Sequence, residues 1–181
     1  MHASLAMKTT EILQREHELI SFAADRIDAT ARAIARGEAV SAARTAGLVS
    51  ALRVLGEGCH HPREQRILFP ALAAHGVPRR TGVLREMADE HERIRRYLVE
   101  MADSSPYLGL SSEARARFCA AARACTTLLR EHVGRESDTL FPLVEALLDR
   151  REDALLAKRF TAEAPRSEEA VGELAPPSEP R

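Results

Sequence analysis

A chain of 181 residues, 45% apolar and 29% charged, lies at the globular average: long enough to bury one core without disulfides and too apolar for a disordered polymer. Twenty-six Lys and Arg against 27 Asp and Glu leave a net charge of −1, so no basic surplus exists for phosphates or anionic lipid, which excludes nucleic acid and membrane as main partners. Cys59, Cys119 and Cys125 form no CxxC pair and are odd in number, against a disulfide framework or cysteine zinc site; without a signal-like start or a membrane-length apolar run, a cytoplasmic location is expected.

Helical periodicity runs through nearly the whole chain. In the first run Leu13, His17, Ile20, Ala24, Ile27, Ala31 and Ile34 recur at alternating steps of four and three, one helix face with a histidine in it. The second run, about 41–74, places Val49, Leu52, Gly56, His60, Glu64 and Ile67 at similar spacing. The third, about 78–103, gives Leu84, Met87, His91, Ile94, Leu98 and Met101. The fourth, about 111–150, gives Phe118, Ala122, Cys125, Leu129, His132, Glu136, Leu143 and Leu147. Turn chemistry separates them at Gly37, at His75-Gly76-Val77-Pro78 and at Ser104 to Gly109, with Ser111 as an N-cap. Four helices joined by short loops predict an all-α, up-down-up-down antiparallel four-helix bundle over residues 8–160. Residues 161–181, with Pro165, Pro176, Pro177 and Pro180 among Glu and Ser, read as a disordered tail.

The runs are related in pairs. His60-xxx-Glu64-xxx-Leu68-Phe69-Pro70 recurs 72 residues later as His132-xxx-Glu136-xxx-Leu140-Phe141-Pro142, and Glu16-His17-Glu18 recurs 74 residues later as Glu90-His91-Glu92. The pattern predicts an internal two-fold repeat of a helix pair. A single seam histidine is more often a satisfied core residue than a ligand, and a His with a Glu one turn on is often a surface pair. Four imidazoles and two carboxylates buried together, however, would cost several kcal/mol per ionised group, which a metal offsets. The set His17, His60, Glu64, His91, His132 and Glu136 therefore reads as a metal cage. Its count suits two ions, each with two imidazoles and both with the two carboxylates as bridges; a solvent-derived bridge would leave each one open position. Such a donor set in a bundle fits iron or manganese, with zinc and copper open by ligand type.

Neighbouring residues are read more plainly. His61 lies about 100° around the helix from His60 and aligns with Val133, so packing or support is expected of it rather than ligation. Pro62 lacks the N–H that would reach the Gly58 carbonyl, which predicts a kink or π-bulge between His60 and Glu64. Cys59 reads as a small buried residue; His2 and His75, and the carboxylates of Glu18 and Glu92, are expected in solvent.

The His-Glu start, the His-xxx-Glu with Leu-Phe-Pro and the recurrence of both resemble the hemerythrin-like HHE cation-binding family over about residues 8–155. Gly58-Cys59-His60-His61-Pro62-Arg63-Glu64 with Leu68-Phe69-Pro70 is similar to a common bacterial branch of it. The resemblance implies a four-helix bundle with a non-haem di-iron centre, oxo- or hydroxo-bridged, on those same six residues, and O2, NO or peroxide as its small-molecule partner. Oxygen-carrying members have a second ligand histidine one turn after that of the third helix, where this chain has Arg95. They also have an Asp five residues after the fourth-helix histidine, where this chain has Glu136 at four. One histidine fewer implies more open coordination, favouring redox reaction or sensing over carriage, with Arg95 expected to supply positive charge if it reaches the site. A di-iron oxidase or oxygenase acting on a small metabolite, and an iron-handling or sensor module, remain as alternatives.

Overall fold

The computed structural model describes residues 8–162, so His2 and the expected tail from residue 163 lie outside the described residues. Those described form helices and short connections with no strand, and no helix among them is long and apolar enough to cross a membrane. The first run is α1 (Lys8–Ala35) and the third is α5 (Gly82–Ser104). The second is a continuous but uneven helix: α2 (Ala42–Arg53), a π-helical segment π1 (Val54–His60), α3 (His61–Arg63), π2 (Glu64–Leu68) and α4 (Phe69–Ala74). The fourth is α6 (Ser112–Arg135), π3 (Glu136–Leu140) and α7 (Phe141–Leu147).

The breaks have the expected causes. Gly37 (φ 78°) and Gly76 (φ 90°) take the left-handed conformation past the helix ends. The following N–H groups, of Glu38 and Val77, reach back five residues to Ala33 O and Leu72 O, closing both helices in Schellman geometry. Ser41 and Ser111 cap α2 and α6 by accepting from Arg44 N and Ala114 N.

Proline explains the π-segments. Pro62, Pro70 and Pro142 each stand two residues beyond the end of one. A proline ring collides with the carbonyl four residues back and offers it no N–H. Widening the turn relieves this, and the residue before each proline donates five residues back instead: His61 to Gly56, Phe69 to Glu64, Phe141 to Glu136. The distortion expected between His60 and Glu64 thus falls on either side of them, and residues 61–63 are ordinary α-helix.

An element that the sequence reading ran into the fourth helix or the tail is separate. After Leu148, whose backbone is extended, α8 (Arg150–Ala162) begins under a reciprocal cap: Asp149 Oδ1 accepts from Glu152 N at 2.8 Å while Glu152 Oε2 accepts from Asp149 N at 3.0 Å. Thr161 and Ala162, placed in the tail by the sequence reading, are its last residues. Asp153 of α8 accepts from the first two N–H groups of α1, Lys8 and Thr9, both at 2.9 Å.

α1 packs along α2, α6 and α8, and α5 along α2 and α6. Two apolar clusters result. One gathers Ile20, Ile27, Leu52, Leu55, Ile94, Leu98, Phe118 and Leu129; the other gathers Leu13, Ile67, Leu72, Met87, Leu140, Val144 and Phe160. The four helical runs meet these clusters in alternating order, α1 and α5 passing from the second to the first, the other two from the first to the second. Between the clusters each run contributes polar side chains.

Candidate metal centre

The positions between the clusters are filled by His17 from α1, His60 at the end of π1, Glu64 opening π2, His91 from α5, His132 from α6 and Glu136 opening π3. None is more than 5% exposed. The histidines stand in two pairs: His17 Nε2 is 3.2 Å from His60 Nε2, and His91 Nε2 is 3.1 Å from His132 Nε2. Each carboxylate touches both pairs. Glu136 Oε2 is 2.6 Å from His17 Nε2 and 3.5 Å from His60 Nε2, while its Oε1 is 2.7 Å from His132 Nε2. Glu64 Oε2 is 3.1 Å from His91 Nε2 and 3.8 Å from His60 Nε2.

The donor set fits a cation. The four oxygens of Glu64 and Glu136 are buried and complete no hydrogen bond, a state that costs free energy unless positive charge meets them. Burial and repulsion from Glu136 push Glu64 up to about 8, so without a metal it keeps its proton at neutral pH. Glu136 is held well below the usual carboxylate range: burial opposes this, but His132, His17 and His60 outweigh it. Burial also opposes the charged form of His132, yet Glu136 and Glu90 lift it to about 9. Burial drives His91 well below the ordinary histidine value and lowers His17. Among the described residues two sets of side-chain atoms are close enough to hold an ion, His60, Glu64, His132 and Glu136 in one and His61, His91 and His132 in the other, each within 4.8 Å.

A supporting layer went unnoticed in the sequence. His60 Nδ1 donates to Glu16 Oε2 at 3.1 Å, and Arg63 pairs with the other oxygen of Glu16. In the second half His132 Nδ1 donates to Glu90 Oε2 at 2.8 Å, and Arg135 pairs with the other oxygen of Glu90. A ring whose Nδ1 proton is held by a carboxylate can give up a proton only from Nε2, which leaves an inward lone pair there, the tautomer that a metal takes. The signal was present: Glu16 and Glu90 precede the seam histidines, and Arg63 and Arg135 each stand three residues after the others. Attention fell on Glu18 and Glu92, which are exposed as expected. Gln65 adds its side-chain amide 2.9 Å from His91 Nδ1. Through Arg63, whose Nε donates to the Phe160 carbonyl at 3.1 Å, α8 is tied to the same layer.

Four further residues can be placed. Arg95 turns away from the donors: its guanidinium is half-exposed, 2.6 Å from Glu92 on its own helix and 3.4 Å from Glu57 of π1, although its charge still helps to lower His91. Cys59 is buried, and burial pushes its thiol up. His75 is exposed, 2.9 Å from Glu152. His61 lies at the site, 1% exposed, with its ring stacked on His91 at 3.9 Å between centroids.

No curated protein matches the chain. Residues 8–144 match the hemerythrin HHE cation binding domain. As that match runs from the first turn of α1 into α7, and so takes in all six of these histidines and glutamates, the chain belongs to the hemerythrin HHE cation-binding domain family.

Proposed function

We propose that His17, His60, Glu64, His91, His132 and Glu136 hold two iron ions, with His17 and His60 on one, His91 and His132 on the other, and both carboxylates shared. The observation that supports this most is that Glu64 and Glu136 each reach across to both histidine pairs. Two iron ions there supply redox chemistry toward O2, NO or peroxide. The chain's own part is to hold the donors ready. Glu16 and Glu90 hold the Nδ1 protons of His60 and His132, so that a proton given up to a metal leaves from Nε2, and the apolar clusters on both sides keep bulk water from the donors. Donors at most 5% exposed suit a ligand of two or three atoms better than a metabolite, which sets the small-ligand reading above an oxidase with an organic substrate. The alternating order in which the helical runs meet the clusters supports an up-down-up-down four-helix bundle with a repeated helix pair; residues 8–160 as the functional unit and a cytoplasmic location stay part of the proposal on the sequence reading alone. Metal analysis of the protein loaded anaerobically with Fe(II), with optical spectra before and after oxygen, tests the reading. Two irons per chain and new near-ultraviolet absorption on oxidation are expected; one iron or none overturns it.

A further inference from the structure

His61 is the buried group that the six-residue cage leaves unexplained. The ring is 1% exposed and neither nitrogen has a hydrogen-bond partner, an arrangement that costs free energy unless something else engages it. Although it follows His60 on the same helix, it belongs spatially to the other pair. Its ring lies nearly parallel to His91, 15° between planes, and edge-on to His132 at 5.9 Å, and a nitrogen of it falls within 4.8 Å of ligand atoms on both.

The backbone accounts for two consecutive histidines facing inward. π1 ends on His60, and the His61 N–H reaches back five residues to the Gly56 carbonyl. Gly56 also seats the ring: a Cβ there would stand 3.6 Å from His61 Cε1 and 3.9 Å from its Nε2. The second half lacks this arrangement. α6 is regular α-helix through Arg135, and Val133, aligned with His61, is only half-buried. Two halves alike in ligands, supporting glutamates and arginines therefore differ at this one imidazole.

We propose that His61 is a fifth imidazole ligand, engaging the ion held by His91 and His132 and making the two metal positions unequal. This rests on the reading that the site holds two ions, and the test separates the two ideas. Anaerobic titration with Co(II), which takes similar donors and whose visible bands report coordination number, is carried out on the unchanged protein, His61→Ala and His61→Phe. Phenylalanine keeps a ring to stack on His91 but has no lone pair, so folding and packing are controlled. Two ions per chain are expected in the unchanged protein. Both variants should show altered visible bands and one of the two affinities weakened by at least the roughly 10–100-fold that loss of a supporting partner costs, the other affinity holding. Added imidazole should restore the bands of His61→Ala alone. If His61→Phe matches the unchanged protein in affinity and bands, His61 is a packing residue and the inference falls while the two-ion reading stands. If the unchanged protein takes up fewer than two ions, the two-ion reading falls and this inference with it.

Discussion

Glu136 shows how far one side chain can depend on its neighbours. Three histidines from three different helical runs lie within 3.5 Å of its two oxygens, and their combined pull overcomes a burial that would otherwise protonate it. Removing a group placed like this cannot be compensated locally. Glu136→Ala and His132→Ala should each lower iron uptake to half or less of the unchanged protein's, measured by metal analysis after anaerobic loading; full uptake in both would refute the ligand assignment. The supporting glutamates differ in kind, because they fix rings without touching metal in the proposed arrangement. Glu16→Ala and Glu90→Ala should keep the stoichiometry but weaken affinity about 10–100-fold in competition with a chelator. The six candidate ligands were legible because apolar seams made each histidine conspicuous and the repeat made coincidence implausible. Glu16 and Glu90 were not, because a carboxylate beside a seam histidine carries no periodicity of its own, and only the fold shows which of two flanking glutamates turns inward. Arg95 shows what sequence leaves open: one turn from a ligand is near in sequence, but a long side chain goes where carboxylates draw it, here Glu92 on its own helix and Glu57 on π1.

Among the elements, helix placement and the glycine and serine stops followed from periodicity and capping chemistry. The π-segments followed only in part. Pro62 signalled a distortion, but Pro70 and Pro142, which do the same to π2 and π3, passed unremarked although Leu-Phe-Pro is the most regular part of the repeat. α8 was missed because its charged, weakly periodic sequence continues the preceding helix without a proline or glycine between them; its signature was the pair Asp149 and Glu152. Its tie to α1 can be measured. Asp153 is 5% exposed and satisfies two N–H groups that α1 cannot bond internally. Asp153→Ala should cost about 1 kcal/mol, within the usual 0.5–2 for a lost cap, read from urea unfolding of the metal-free protein. An unchanged midpoint would mean that the start of α1 is not anchored through α8.

For the whole molecule, the buried charges make stability depend on pH in a direction set by the raised groups. His132, lifted to about 9, contributes fully below the ordinary histidine value and loses its contribution as pH climbs through 9. Glu64, lifted to about 8, acts with the same sign, its contribution full below the ordinary carboxyl value and lost as pH rises through 8. The metal-free protein should therefore melt at lower temperature at pH 9 than at pH 7, and a rise in Tm over that window would contradict these ionisations. Metal uptake at pH 7 should release about two protons or more, since Glu64 and His132 must surrender theirs to become ligands and His60 is raised as well.

The polar layer between the two apolar clusters has a dynamic consequence. A core interrupted at its waist by ionisable groups has fewer apolar contacts there to resist opening, chiefly Phe141 on His17 and Phe69 on His91, so in the metal-free chain the backbone near His60 and His132 should exchange its amide hydrogens through local fluctuations well below the cost of global unfolding. Bound ions would close that seam. Hydrogen exchange should then slow most over residues 56–66 and 130–140 on loading, with little change at the end of α5 beyond Leu98, and protection spread evenly over the chain would show instead that the two halves of the core already open as one.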